Sequence, residues 1–194
     1  MVIAAVVGLV VVAGGLALLL SPDETDEGAA PSTAPVEVSG TDLPPFSNGP
    51  DAAIGTDAPT VSGQGLDSAA LTIGGGGEPA AVVFLAHWCP HCREEVPAVQ
   101  EWLDDGGLPE GVHLYGVATG TDAARPNFPP TDWLADEGWT PSTLLDDDAS
   151  RAGQAYGLTG YPYWVLLDGD GRVAGRHVGA LPVDQLEQSL SALR

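Results

Sequence analysis

Six consecutive residues, His87-Trp88-Cys89-Pro90-His91-Cys92, hold the only two cysteines of this 194-residue chain. Thiols at i and i+3 across the first turn of a helix can close a small disulfide ring, and the helix N-terminus favours a thiolate at the first of them. That is the chemistry of a dithiol–disulfide exchanger, in which a thiolate attacks a disulfide sulfur and a second thiol resolves the mixed disulfide. Cys89 is expected to be the exposed nucleophile and Cys92 the buried resolving thiol. A static structural bridge is the bland alternative, but a ring of so few residues stabilises little. A metal site is the other: His87, Cys89, His91 and Cys92 are ligand types for zinc or copper. Four ligands within six residues would have to bend awkwardly, and no metal ligand is assigned.

The elements that must position these thiols are legible on either side. The apolar run Ala81–Ala86 has the pattern of a strand buried on both faces. A helix follows from Cys92 to Leu103, with Val96, Val99, Trp102 and Leu103 at helical spacing. Short strands are expected at Thr60-Val61, Ala70–Ile73 and Ser142–Leu145, and a second buried strand at Val112–Ala118. Helices are expected near Thr131–Glu137, with Thr131 as N-cap, and over Ala149–Tyr156. Tyr163–Leu167 and Arg172–Val178 form a hairpin through the turn Asp168-Gly169-Asp170-Gly171. An amphipathic helix over Pro182–Leu193 closes the chain. The order implies an α/β layer fold with a mixed central sheet flanked by helices.

Ahead of this domain, assigned to residues 58–194, lie two segments of other character. Val2–Leu20 contain no charged or hydroxyl side chain and as a helix would span roughly 28 Å, about a bilayer core. Residues 1–20 are therefore read as an uncleaved transmembrane anchor. Residues 21–57 carry six prolines, eight acidic residues and no base, a composition too poor in apolar clusters to fold alone. They are read as a disordered tether, with Leu43-Pro44-Pro45-Phe46 as one apolar knot that can pack on the domain edge. No Lys or Arg precedes Arg93, so loop charge does not set the orientation. The expectation is that a basic cytoplasmic segment lies upstream of Met1. The net charge of −21 and the absence of lysine argue against a nucleic-acid partner, which requires a basic surface. No phosphate-cradling glycine loop, serine nucleophile motif or second CxxC pair is present.

With the anchor, the Trp88-Cys89-x-x-Cys92 motif, Pro97 eight positions later and Gly160-Tyr161-Pro162 before a buried strand, the chain resembles the thioredoxin superfamily. It is most similar to the membrane-anchored TlpA/ResA-like branch, from about Ala58 onward. Pro162 lies 73 positions after Cys89, a separation that matches that branch's inserted helix and strand. The resemblance implies a thioredoxin-like fold, a cis peptide bond at Pro162 facing the disulfide, and client backbone pairing at Tyr161. It also implies a proton-shuttling role for Glu95, because the strand Asp of thioredoxins proper is replaced here by Val83. Pro90-His91 departs from the branch and matches the strongly oxidising periplasmic disulfide donors. Trp88 would shield the site, while Pro90 and His91 would tune it.

The function expected is therefore extracytoplasmic thiol–disulfide exchange with exported proteins, with no cofactor beyond the Cys89–Cys92 disulfide. Potentials across such folds run from roughly −270 to −120 mV, a span of about 7 kcal/mol, and His91 inclines the expectation to the disulfide-donor end. A donor would be re-oxidised by a quinone-linked membrane partner. The alternative is a reductant, for example of apocytochrome c haem-ligand thiols, recharged by a membrane electron conduit. A copper or zinc metallochaperone is the alternative of another class.

Overall fold

The computed structural model describes residues 35–193. The expected anchor Val2–Leu20 and the first part of the expected tether lie outside the described residues. Among the described residues no helix is long and apolar enough to cross a membrane.

The central sheet is built on β4 (Ala80–Leu85), whose six residues are all buried. Its side chains alternate between two cores. Ala81, Val83 and Leu85 enter one, and Ala80, Val82 and Phe84 enter the other. That is why the run is continuously apolar rather than alternating. β4 pairs in parallel with β5 (His113–Ala118), which pairs in parallel with β6 (Ser142–Leu145). On its other side β4 pairs antiparallel with β7 (Tyr163–Leu167), and β7 with β8 (Val173–Val178). The hairpin turn is held by the Asp168 side chain, which accepts from the N–H groups of Asp170 and Arg172. Beyond β6 lie β2 (Thr60–Gly65), β1 (Glu37–Ser39) and β3 (Ala70–Ile73), all antiparallel.

Two helices cover the first core. α1 (Pro90–Asp104) contributes Val96, Val99 and Trp102, and α4 (Val183–Ser191) contributes Leu186 and Leu190. The short α2 (Pro130–Asp136) adds Trp133 and Leu134 to the same core. α3 (Arg151–Ala155) lies on the second core with Ala152 and the following Tyr156. α2 starts one residue before the expected Thr131 cap. Pro129 occupies the cap position and Pro130 the first turn, with no side-chain cap bond. Proline suits that position because its missing N–H would have no intrahelical acceptor.

The expected tether does not extend to residue 57. β1 pairs with β2, Val36, Leu43 and Ala53 are buried in the second core, and Leu43 N–H donates to Ala155 O at 2.8 Å. The apolar knot does pack on the domain, with Phe46 N–H bonded to Gly157 O. Arg176 of β8 fastens this strap. Its guanidinium, with a side chain only 1% exposed, is paired to Asp51 and donates to Pro44 O at 2.8 Å and to the Tyr163 hydroxyl at 3.2 Å. Acid-rich composition concealed a few well-placed apolar anchors and one buried cation supplied from a distant strand.

Candidate active site around Cys89 and Cys92

Strand β4 ends at Leu85 and the chain turns through Ala86–Trp88 into α1, which places Cys89 at the helix N-cap and Pro90 in the first turn. Cys89 N–H donates to Ala86 O at 2.9 Å, which closes the turn. Both cysteines are free thiols. Cys92 is fully buried, and Cys89 is only 6% exposed, so the expected nucleophile presents an edge rather than an open face. Burial pushes the Cys92 thiol well above the ordinary range, and the neighbouring Cys89 and Glu95 charges push the same way.

The Gly160–Pro162 loop, at the start of β7, comes against the thiols. The Tyr161–Pro162 bond is cis, and Cys89 Sγ lies 3.7 Å from the Tyr161 carbonyl oxygen. Tyr161 meets Trp88 edge-on at 5.5 Å between ring centroids. Trp88 donates its indole N–H to Gly120 O at 2.8 Å, and Arg125 lies 4.2 Å over its ring.

Glu95 is one turn further along the same helix face as Cys92 and only 6% exposed. Its carboxylate accepts the Leu181 N–H at 2.6 Å and the Trp164 indole N–H at 3.2 and 3.3 Å. Burial raises its pKa to about 7, against the pull of those two donors. Trp164 is the cross-strand partner of Val83. The buried acid that the strand lacks is thus supplied to the same region by the helix. A groove of about 190 Å³ between Ala98, Val99 and Leu181–Val183 is lined in part by Glu95.

The His91 side chain is 67% exposed and pairs with Glu94 at 3.6 Å, so it faces solvent and α1 rather than the buried thiol. His87 has a different task from metal binding. Its Nδ1 donates to Pro126 O at 2.7 Å and its Nε2 accepts the Asp122 N–H at 3.2 Å, while Asn127 Nδ2 donates to His87 O at 2.8 Å. Both ring nitrogens are spent on the 120–128 loop, and none is left to join the cysteines. This loop ends on a second cis bond, at Phe128–Pro129. The Leu181, Trp164 and Gly120 partners carried no sequence signal, because each is a long-range contact.

Three comparisons with known proteins bear on this site. A family model described as a thioredoxin-like domain matches residues 66–194. The thiol:disulfide interchange protein DsbE homolog of Paracoccus denitrificans is 31% identical over 154 residues, which cover 74% of this chain and 80% of that protein. The thiol:disulfide interchange protein HelX of Rhodobacter capsulatus is 26% identical over 163 residues, or 84% and 81% of the two chains. Among solved structures, a putative thiol:disulfide interchange protein DsbE from Chlorobium tepidum superposes with a TM-score of 0.59. It is 24% identical, with 72% of this chain and 96% of that one covered, and that likeness concerns the fold.

Proposed function

Because the chain belongs to the thioredoxin-like family, among the DsbE-, ResA- and TlpA-like thiol:disulfide interchange proteins, it is a thiol–disulfide oxidoreductase with Cys89–Cys92 as its redox pair, and we propose that it works as a reductant of exported proteins. The observation that carries this direction is the buried pair Cys92 and Glu95. A disulfide is strongly oxidising when its reduced form is stabilised, commonly as a thiolate. Here burial disfavours a thiolate at Cys92, and the Glu95 carboxyl, poised at about 7, acts in the same direction. The disulfide-donor direction suggested by Pro90-His91 has less support, since His91 is exposed and turned to Glu94.

In the proposed cycle the Cys89 thiolate attacks one sulfur of a client disulfide, and the other client sulfur leaves as a thiolate that takes a proton. Cys92 then gives its proton to Glu95 and attacks Cys89 Sγ. The Cys89–Cys92 disulfide forms, the second client sulfur is released as a thiolate that takes a proton from water, and Glu95 gives its proton up to water through the groove at Leu181–Val183. Two electrons pass from the dithiol to the client. The backbone of Tyr161 would pair with the client chain beside Pro162, with Trp88 and Pro90 framing the thiols. The clients fitting this reading are exported proteins whose cysteines must stay reduced, such as apocytochrome c before haem attachment. A membrane electron conduit would recharge the pair. Residues 1–20 would anchor the chain, with the domain on the extracytoplasmic side.

The test is the Cys89/Cys92 reduction potential, measured by equilibration in a thiol redox buffer. A value toward the thioredoxin end, about −270 mV, is expected, and one near about −120 mV would overturn the reducing direction.

A further inference from the structure

Thr119 follows the last residue of β5, one position before the glycine that receives the Trp88 indole. Its hydroxyl is buried, with the residue 1% exposed, and it lies against two other polar side chains. A buried hydroxyl is tolerated at little cost only where polar neighbours satisfy it. Two polar groups face it. One is the Tyr161 hydroxyl, and the other is the Asp146 carboxylate at the end of β6. Asp146 is itself 1% exposed and is held by the N–H groups of Asp147, Ala152 and Gly153 at 2.9 to 3.0 Å. The packing leaves room for these groups and little else. A Cβ on Gly120 would stand 2.4 Å from the Tyr161 hydroxyl, and one on Gly153 would stand 3.3 Å from the Thr119 hydroxyl and 3.6 Å from Asp146 Oδ2.

We infer that Thr119, backed by Asp146, is a positioning residue that holds the Tyr161 hydroxyl and so fixes the Tyr161 carbonyl against Cys89 for client pairing. The inference rests on the proposed reading of Tyr161 as the residue whose backbone meets the client. A hydroxyl rotor can turn toward either neighbour, donating to Asp146 while accepting from Tyr161. The fixed end of the network is the Asp146 carboxylate, which is tied to three backbone groups. Its mobile end is a side chain whose own carbonyl lies 3.7 Å from the Cys89 sulfur. Tyr161 is thereby gripped at the hydroxyl from one side and by the Trp88 ring from the other. Loosening the hydroxyl grip should blur the backbone that receives a peptide, with little effect on the thiols.

The experiment measures steady-state reduction of a disulfide-containing peptide and of a small aliphatic disulfide by the full chain. Variants are Thr119→Val, Thr119→Ser, Asp146→Asn, Tyr161→Phe and Thr119→Val with Tyr161→Phe. Thr119→Val should raise KM for the peptide about five-fold, the worth of one hydrogen bond, while kcat and the Cys89/Cys92 potential stay within about two-fold and about 10 mV. Thr119→Ser should restore KM, Asp146→Asn should raise it in the same direction, and the double variant should be no worse than the worse single one, as coupled residues require. An unchanged KM in Thr119→Val or Asp146→Asn, a rise that serine fails to rescue, or additive effects would overturn the network. Failure of the underlying reading looks different. The wild-type chain would then show no preference for the peptide over the small disulfide, or Cys89→Ser would keep its activity.

Discussion

Glu95 is a carboxyl whose chemistry departs far from its ordinary behaviour, and burial is the cause. Its pKa moves from 4.5 to about 7 in the folded dithiol protein, so between those values the folded state holds more protons than the unfolded one. Stability is therefore fullest below about pH 4.5 as far as this group is concerned, and falls as the pH rises toward about 7. The loss amounts to roughly 3 kcal/mol. Glu95→Gln keeps an acceptor for Leu181 and Trp164 but cannot ionise. Urea unfolding of the reduced protein near pH 5 and near pH 8 should show the wild type losing stability across this window and the variant losing much less. An equal slope in both would mean that another group carries the effect. His91 makes the contrasting case. Its exposed ring is paired with Glu94, so His91→Ala should shift the Cys89/Cys92 potential by less than about 30 mV, and a larger shift toward reducing values would restore the oxidising role assigned to it from the sequence. Cys89 and Cys92 were legible as candidates because their spacing is local, and Glu95 because the chain resembles the TlpA/ResA-like branch. The Leu181 N–H that holds Glu95, 86 positions away, was not.

At the scale of elements, the N-terminal strap is where sequence and structure part. Residues 35–57 lack a pattern of their own because they fold against surfaces built by other elements. Val36, Leu43 and Ala53 are isolated apolar residues that become core only where α3 and β8 offer them a site. Leu43 is 4% exposed, so Leu43→Ala should destabilise the domain by about 2–3 kcal/mol, whereas a residue in a free tether would change nothing. Arg176→Met should cost about 3–5 kcal/mol, because it leaves Asp51 charged and without its cation in a largely buried place. Chemical denaturation measures both. The same Arg176 contact holds the Asp51 carboxyl below its ordinary range. The stability it supplies is present at neutral pH and is lost as the pH falls through that lowered value, so acid unfolding of the wild type should be delayed relative to Arg176→Met. The strands β4, β5 and β7 and the helix α1 were legible without this context, since each carries its own periodic signature.

For the whole molecule, a net charge of −21 means that folding gathers like charges at short range. Raising the salt shortens the screening length from about 30 Å at 0.01 M to about 8 Å at 0.15 M, so the melting temperature should rise over that interval. A fall would show that attractive pairs such as Arg176–Asp51 outweigh the repulsion. The sequence by itself determined the chemistry and the layer order: two thiols on the first turn of a helix behind a doubly buried strand, a proline-headed strand later in the chain, and a hairpin and helix to close the sheet. These are statements about neighbours in the chain, where spacing, periodicity and turn residues act directly. Tertiary structure alone decided how the site is tuned. It buried Glu95 under Leu181 and Trp164, turned His91 to the solvent, spent His87 on the 120–128 loop and aimed the Thr119 hydroxyl at Tyr161 and Asp146. Apart from the local His91–Glu94 pair, each of these depends on desolvation and on partners tens of residues distant. Such energies arise only when separate elements pack, and no local pattern encodes them.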